Sequence, residues 1–387
     1  MNRAISISII ILLLAVAAES RGQKQADNND LIKVDVTKSY SPKKELILQD
    51  FTDVEYIVLE TNNIFLHQGF VMDIGKKIII VTNRQVRNGD IFIYDRTGRA
   101  LRKINRKGQS GEEYTDILKI ILDEDNNEMY VNDPFKSKIL VYDLYGKFKR
   151  SFRYKGDGQF YADIFNYDRD NLICYDKYNK KISFVLVSKQ DGSITKEIKI
   201  PFNKKILLQQ RSQDGTKYST ADPDHYRTII PFNGNWMLLE LSSDTVYTFL
   251  PDHDLRPFLV RTPPIQSMDP GVFLTLSFFS DRYIFLETIK NVFDFKTRQG
   301  FPKTYFMYDK QEKNFWGYTV YNGDYTTKKE IYMDRLRSVN HETWQTLEAY
   351  QLVESYKKGE LKGKLREIAA KLDEEDNPVI MLIKHTK

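Results

Sequence analysis

The strongest constraint on this chain is that part of it is written twice. Ile91-Phe92-Ile93-Tyr94-Asp95-Arg96-Thr97-Gly98 returns as Ile139-Leu140-Val141-Tyr142-Asp143-Leu144-Tyr145-Gly146, an offset of 48 residues (143 − 95) that the two glycines keep. Each copy reads as a strand, a turn carrying Asp and Gly, and a second strand with basic residues on its open face. The glycine supplies the positive φ of a tight hairpin. A second element recurs in step with the first. The polar turns Asp73–Lys77, Asp123–Glu128 and Asp168–Asn171 each lead into a short apolar strand that ends at Asn83, Asp133 or Asp176. A period of about 40 to 50 residues with four strands per unit is the pattern of propeller blades. Length alone suggests two or three domains, but a closed ring holds the same length as one unit.

Later units keep the rhythm with less identity. Trp236–Leu241, Thr245–Leu250 and Pro257–Val260 are separated by the polar turns Ser242-Ser243-Asp244 and Pro251–Asp254. Another unit runs through Tyr283–Leu286 and Thr304–Asp309. Five internal units fit between about Phe70 and Tyr325. A sixth is expected to be composite, pairing Val54–Glu60 with Pro378–Ile383, because that pairing removes two open sheet edges. Leu361, Leu365, Ile368 and Leu372 follow helical spacing, which makes Gly359–Glu375 an amphipathic helix packed on the ring. The expected fold is therefore all-β: a six-bladed β-propeller closed by its N- and C-terminal strands, six being favoured over seven. The 24 Tyr and 23 Phe spread along the chain suit such pleated, half-buried surfaces. The boundaries expected are a signal peptide at 1–18, an N-terminal extension at 19–45 and the propeller at 46–387, with the helix at about 340–375 and the closing strand at 378–384.

Arg3 followed by the apolar run Ala4–Ala18, which ends in the small residues Val16-Ala17-Ala18, reads as a cleaved secretory signal. Fifteen apolar residues are too few to span a bilayer, which takes about 20, so no transmembrane segment is expected after cleavage. Cys174 is the only cysteine. No intramolecular disulfide can form, no acylated cysteine follows the leader, and Cys174 lies in an apolar strand that marks it as a buried structural thiol. The net charge of +5 is spread thinly over interleaved acids and bases. Its densest cluster, Lys147–Lys155, alternates with aromatics as one half-exposed strand does, which argues against nucleic acid. The reading is an exported protein, periplasmic or extracellular, and not a lipoprotein.

Gly108-Gln109-Ser110-Gly111-Glu112-Glu113-Tyr114, framed by the Tyr-Asp-x-x-Gly turns, resembles the NHL-type propeller repeat. With Val54–Thr61, Ser243–Tyr247 and Glu374–Ile380, the wider pattern is similar to the exported six-bladed propeller proteins of Bacteroidetes. The resemblance covers most of the mature chain and implies fold and export without implying an activity. Many of those proteins look like lipoproteins, and the missing acylation cysteine sets this chain apart from them.

No motif specifies catalysis or a cofactor. Asp123-Glu124-Asp125-Asn126-Asn127 has the acidity of a calcium loop, but an EF-hand wants Gly at its sixth position and Glu at its twelfth, where this chain has Glu128 and Pro134. Pro251-Asp252-His253-Asp254 sets an imidazole between two carboxylates, yet reads as an ordinary turn. His67, His225, His341 and His385 show no ligand spacing. Gly108–Gly111 lacks the Lys-Ser/Thr of a phosphate loop. Trp316 is a candidate stacking residue or a blade-core aromatic. The function expected is non-enzymatic: a binding or scaffold propeller of the cell envelope for a glycan, peptide or protein partner. The alternative is a metal-dependent propeller enzyme, lactonase- or lyase-like, with calcium or zinc at the channel mouth. Its ligands would come one by one from several blades, so no spacing would reveal them.

Overall fold

Runs such as Ile78–Thr82 and Asp90–Asp95 are buried along nearly their whole length because both faces of each strand are covered. Successive side chains of a strand point to opposite faces. Ile79, Val81, Phe92 and Tyr94 pack against Trp344, Ile380 and Leu382 on one side, while Ile78, Ile80, Ile91 and Ile93 pack against Ile120, Met129, Val131 and Leu140 on the other. Sheets stacked this way around an axis make a ring. The computed structural model of the protein describes residues 31–83, 87–155, 160–224, 226–339 and 342–384. The signal peptide read at 1–18 lies outside them.

Six sheets form the ring. From the axis outward, blade 1 is Phe70–Ile74, Ile78–Thr82, Asp90–Asp95 and Ala100–Asn105. Blade 2 is Lys119–Asp123, Glu128–Asp133, Lys138–Asp143 and Phe148–Arg153. Blade 3 is Tyr161–Asn166, Asn171–Asp176, Phe184–Ser188 and Ile194–Ile198. Blade 4 is built from Ile229–Phe232, Asn235–Leu238, Thr245–Phe249 and Leu255–Thr262, and blade 5 from Val272–Phe279, Tyr283–Lys290, Lys303–Asp309 and Asn314–Tyr321. In blade 6, Arg337–Val339, Glu342–Leu347 and Val379–Lys384 come from the C-terminal part, and the outer strand Asp53–Val58 comes from the N-terminal part. The pairing Tyr56 to Met381 lies mid-register in that closing ladder, as the sequence implied.

The N-terminal arm does more than close the ring. Before reaching blade 6 it adds Ile32–Asp35 in parallel to the outer strand of blade 4, then Lys43–Ile47 in parallel to the outer strand of blade 5. Three consecutive blades thus have their outer edges covered by one segment. Tyr40 packs between the two pairings against Phe306 and Phe315.

The segment read as one C-terminal helix at about 340–375 divides differently. Glu342–Leu347 is the second strand of blade 6, and two helices follow, α1 (Ala349–Lys357) and α2 (Gly363–Ala369). Gly359, with φ +70°, ends α1 as a left-handed cap, donating its N–H to the Tyr356 carbonyl. The apolar face is the expected one: Leu361, Leu365 and Ala369 are buried, with Ile368 and Leu372 packed beside them.

Tight turns behave as the repeat implied. Gly98 and Gly146 have φ +88° and +85°, and Asp95 and Asp143 each accept the backbone N–H groups two and four residues on. Gly98 has a second constraint, because a Cβ there would sit 1.9 Å from the Val58 carbonyl oxygen.

Candidate functional site

The six inner strands surround a channel with a cavity at each end. The upper mouth, where the inner strands begin, holds about 430 Å³. The lower mouth, where they end, holds about 630 Å³.

Irregular inner strands shape the upper mouth. Register shifts fall at Met72 in blade 1, Ala162 in blade 3 and Ser277 in blade 5. A bulge leaves one residue out of the ladder and re-aims its neighbours; Met72 and Ala162 both line the cavity. The carboxylates that follow two of these bulges are turned onto backbone donors. Asp73 accepts from Ile74 at 2.7 Å and from Leu122 of blade 2 at 2.7 Å, and Asp163 accepts from Ile164 at 3.2 Å. Burial, opposed by those N–H groups, pushes Asp73 up to about 7.

The cavity lining carries five basic side chains, Lys119, Lys177, Arg227, Arg335 and Arg337, against two acids, Asp163 and Asp334. Lys119 Nζ meets Asp163 Oδ1 at 2.8 Å and lies 3.6 Å from the Phe165 ring centre. Lys177 pairs with Asp222 at 2.5 Å. The Arg337 guanidinium covers the Phe70 ring at 4.3 Å, and that of Arg335 covers Tyr332 at 4.7 Å. Asp334 accepts from Lys303 at 3.0 Å and from Tyr305 at 3.2 Å through Oδ2, while its buried Oδ1 accepts no hydrogen bond among the described residues.

Arg227 is the deepest of the bases. Its Nη1 donates to the Ser277 carbonyl at 2.7 Å and to Ser338 Oγ at 2.8 Å, and its buried Nη2 makes no hydrogen bond among the described residues. Burial pulls the guanidinium down to about 10, with Asp163 opposing the fall and Arg337 adding to it. Charge sunk in a protein costs free energy unless it is paired, and this one is only partly compensated.

At the lower mouth the charges close on one another. Arg96 meets Glu342 through two contacts of 2.7 and 3.0 Å, and Lys189 meets Asp123 at 2.6 Å with both side chains buried. Tyr167 and Trp236 form part of its wall, 5.9 Å apart between ring centres.

The residues singled out in the sequence scatter around this frame. The acidic turn Asp123–Asn127 is an inter-blade clasp: Glu124 accepts the backbone N–H groups of Lys76, Lys77 and Ile78 at 2.8 to 2.9 Å. His253 sits at φ +68° in an exposed turn, its ring stacked 5.6 Å from Phe249. In the Gly108–Gly111 turn, the carbonyls of Ser110 and Gly111 accept from Lys136 and Lys138. Trp316 lies in the outer strand of blade 5 under the N-terminal arm, with Lys44 Nζ 4.4 Å above its ring. Cys174 is buried, and burial pushes its thiol well up. His67 is buried at the blade 6–blade 1 closure, and His225, His341 and His385 lie outside the described residues. Among the described residues no group of three or more His, Cys, Asp or Glu is placed to hold a metal ion, and no helix is long and apolar enough to cross a membrane.

The cationic mouth escaped the sequence reading because its bases come from separate blades. One signal was available: Lys119 and Arg337 open their inner strands, and Arg227 stands two residues ahead of Ile229.

Comparison with known proteins adds family and fold. The family described as a domain of unknown function (DUF4934) matches residues 31–384, and the chain belongs to it. A crystal structure described as an exported protein of Bacteroides fragilis is similar over 92% of this chain and 99% of its own, at 15% identity and TM-score 0.57, which speaks for a shared fold alone. A DUF4221 family member from Bacteroides vulgatus (9% identity, 87% and 99% covered, TM-score 0.48) and virginiamycin B lyase from Staphylococcus aureus (8%, 86% and 99%, 0.36) are too distant to carry an argument. No curated protein matches the chain.

Proposed function

We propose that this member of the DUF4934 family is an exported, non-enzymatic binding propeller of the cell envelope that takes its ligand at the upper mouth of its channel. The observation that carries this reading is the 430 Å³ cavity on which side chains from the inner ends of several blades converge, with a surplus of basic groups. A concave site of this size suits a compact ligand or the end of a longer one. Export is supported by the Ala4–Ala18 leader pattern. It places the candidate ligands, glycan, peptide or protein partner, outside the cytoplasm.

The test is a thermal-shift screen of the chain from Glu19 onward against neutral and acidic oligosaccharides and short peptides, followed by titration of each hit. A ligand of this mouth raises the melting temperature, and its effect falls at least tenfold in Arg337→Gln. Hits that Arg337→Gln, Lys119→Gln and Arg335→Gln all leave unchanged would place the function elsewhere.

A further inference from the structure

We infer that the ligand of the upper mouth is an acidic saccharide, a compact sugar carrying a carboxylate or phosphate. This inference rests on the binding role proposed above and adds the chemistry of the ligand.

Charge comes first. Five basic side chains line the cavity with two acids, Lys119 pairing with Asp163 and Lys177 with Asp222 outside the lining, whereas the lower mouth is lined by three bases and four acids. The surplus is therefore a property of one end. Bases gathered in a concave site with low-dielectric walls repel one another and focus a positive potential into it. An anion relieves that repulsion, and Arg227, which has one buried guanidinium nitrogen without a hydrogen bond among the described residues, marks where compensation is short.

Shape and hydrogen bonding then favour a sugar over a peptide. A peptide read by its backbone adds to an open strand edge. At this mouth the bulges at Met72 and Ala162 interrupt the inner strands of blades 1 and 3, so neither presents an unbroken edge there. Recognition then falls to the side chains around a cavity of about 430 Å³. Arg335, exposed at the rim against Tyr332, and Arg337, laid on the Phe70 ring, present planar guanidinium groups, which suit the paired oxygens of a carboxylate or phosphate on a compact ring.

The test varies one position of one sugar. Glucose, glucuronate and glucose 6-phosphate share a ring and differ at C6, and each is titrated into the full mature chain by calorimetry or ligand-observed NMR at 50 and 300 mM salt. The inference expects at least one acidic form to bind ten times or more tighter than glucose. It expects that advantage to shrink at high salt and to fall severalfold in Arg335→Gln, whose exposed position leaves the fold intact. Which acid is preferred separates a uronate from a sugar phosphate. Equal affinity for all three sugars overturns the inference and leaves the binding role standing. Binding of triglutamate in place of the acidic sugars overturns it in favour of a peptide. Failure of every probe here, with no hit in the wider screen, overturns both readings.

Discussion

Arg227 Nη1 donates to the Ser277 carbonyl at 2.7 Å, across the boundary between blades 4 and 5. The bond exists because Ser277 is the bulged residue of its strand, out of register with Tyr283–Lys290, so its carbonyl is free to accept elsewhere. The same nitrogen reaches Ser338 Oγ at 2.8 Å, which ties in blade 6. One side chain thus pins three blades at the floor of the candidate site. Arg227→Met keeps most of the bulk, removes a poorly compensated charge and strands the Ser277 carbonyl. These effects oppose one another, so we expect a loss of about 1–2 kcal/mol. Arg227→Ala adds a cavity and should lose about 3 kcal/mol. Urea unfolding at neutral pH measures both.

Ring closure depends on a second buried polar residue. Asn377 Nδ2 donates to the carbonyls of Glu60 and Phe65, and its Oδ1 accepts from the His67 backbone at 2.9 Å. Asn377→Ala leaves two acceptors and a donor unpaired in the interior, each costing roughly 1–3 kcal/mol. We expect a loss of about 3 kcal/mol or more. Hydrogen exchange should quicken first in Asp53–Val58 and Val379–Lys384, and exchange that rises evenly around the ring would contradict a local clasp.

Histidine 67 gives that closure a pH dependence. Its Nδ1 accepts from Gly69 at 3.0 Å, which puts the ring proton on Nε2, facing Tyr94 Oη at 2.7 Å. Burial holds its pKa down to about 4, against an ordinary value of 6.5. Between those values the unfolded chain binds the proton and the folded chain does not, so stability rises with pH through this window. The contribution is intact above about 6.5 and is lost progressively as pH falls to 4. Asp73, raised to about 7, works in the opposite sense: its contribution is full below about 4 and is lost as pH rises towards 7. The two windows overlap with opposite slopes, so His67→Gln, which cannot titrate, should leave stability falling with pH between about 4 and 7, and Asp73→Asn should leave it rising between about 4 and 6.5. Melting curves from pH 4 to 8 on the wild type, His67→Gln and Asp73→Asn separate the two slopes.

Glycine 98 offers a contrast with a built-in control. It combines φ +88° with a space in which a Cβ would strike the Val58 carbonyl, and its own carbonyl accepts from Glu60 at 2.8 Å. Gly234 has φ +73° and nothing within 4 Å of such a Cβ. Gly234→Ala should therefore cost about 1 kcal/mol, the conformational penalty alone, and Gly98→Ala clearly more, because the closing strand must move. Equal costs in parallel thermal melts would show that the close approach to Val58 is soft.

The blades were legible because they are local. A strand, its turn and the next strand fall within about fifteen residues, and the turn residues Asp95, Gly98, Asp143 and Gly146 act as their types dictate. The composite blade was also readable, since apolar runs at both ends of a repeat array leave few other partners. Contacts between blades were not. Glu124 looks like a metal ligand in sequence and is a cap for three N–H groups lying more than forty residues away. Apart from the neighbours Arg335 and Arg337, the bases of the upper mouth lie roughly a blade or more apart in sequence, and only the ring brings them together. The parallel strands of the arm were hidden for a related reason: Ile32–Asp35 is only four residues long, and its partner lies in Leu255–Thr262, far along the chain.

That arm yields the last expectation. Ile32–Asp35 and Lys43–Ile47 cover the outer edges of blades 4 and 5, and they bury Val34 and Val36 in the process. Gly317 permits the close approach, since a Cβ there would lie 2.5 Å from the Tyr40 carbonyl oxygen. Open strand edges invite pairing with other chains. A chain beginning at Leu48 retains the closing strand of blade 6 but uncovers two adjacent edges, so it should shift towards oligomers on size exclusion. Gly317→Val tests the same relationship in the complete chain by pushing the arm away at one point. It should melt lower and be cleaved by protease within 31–47 sooner than the wild type. Unchanged elution and protease resistance in both variants would mean that the outer strands of blades 4 and 5 need no cover, and that closure rests on Asp53–Val58 alone.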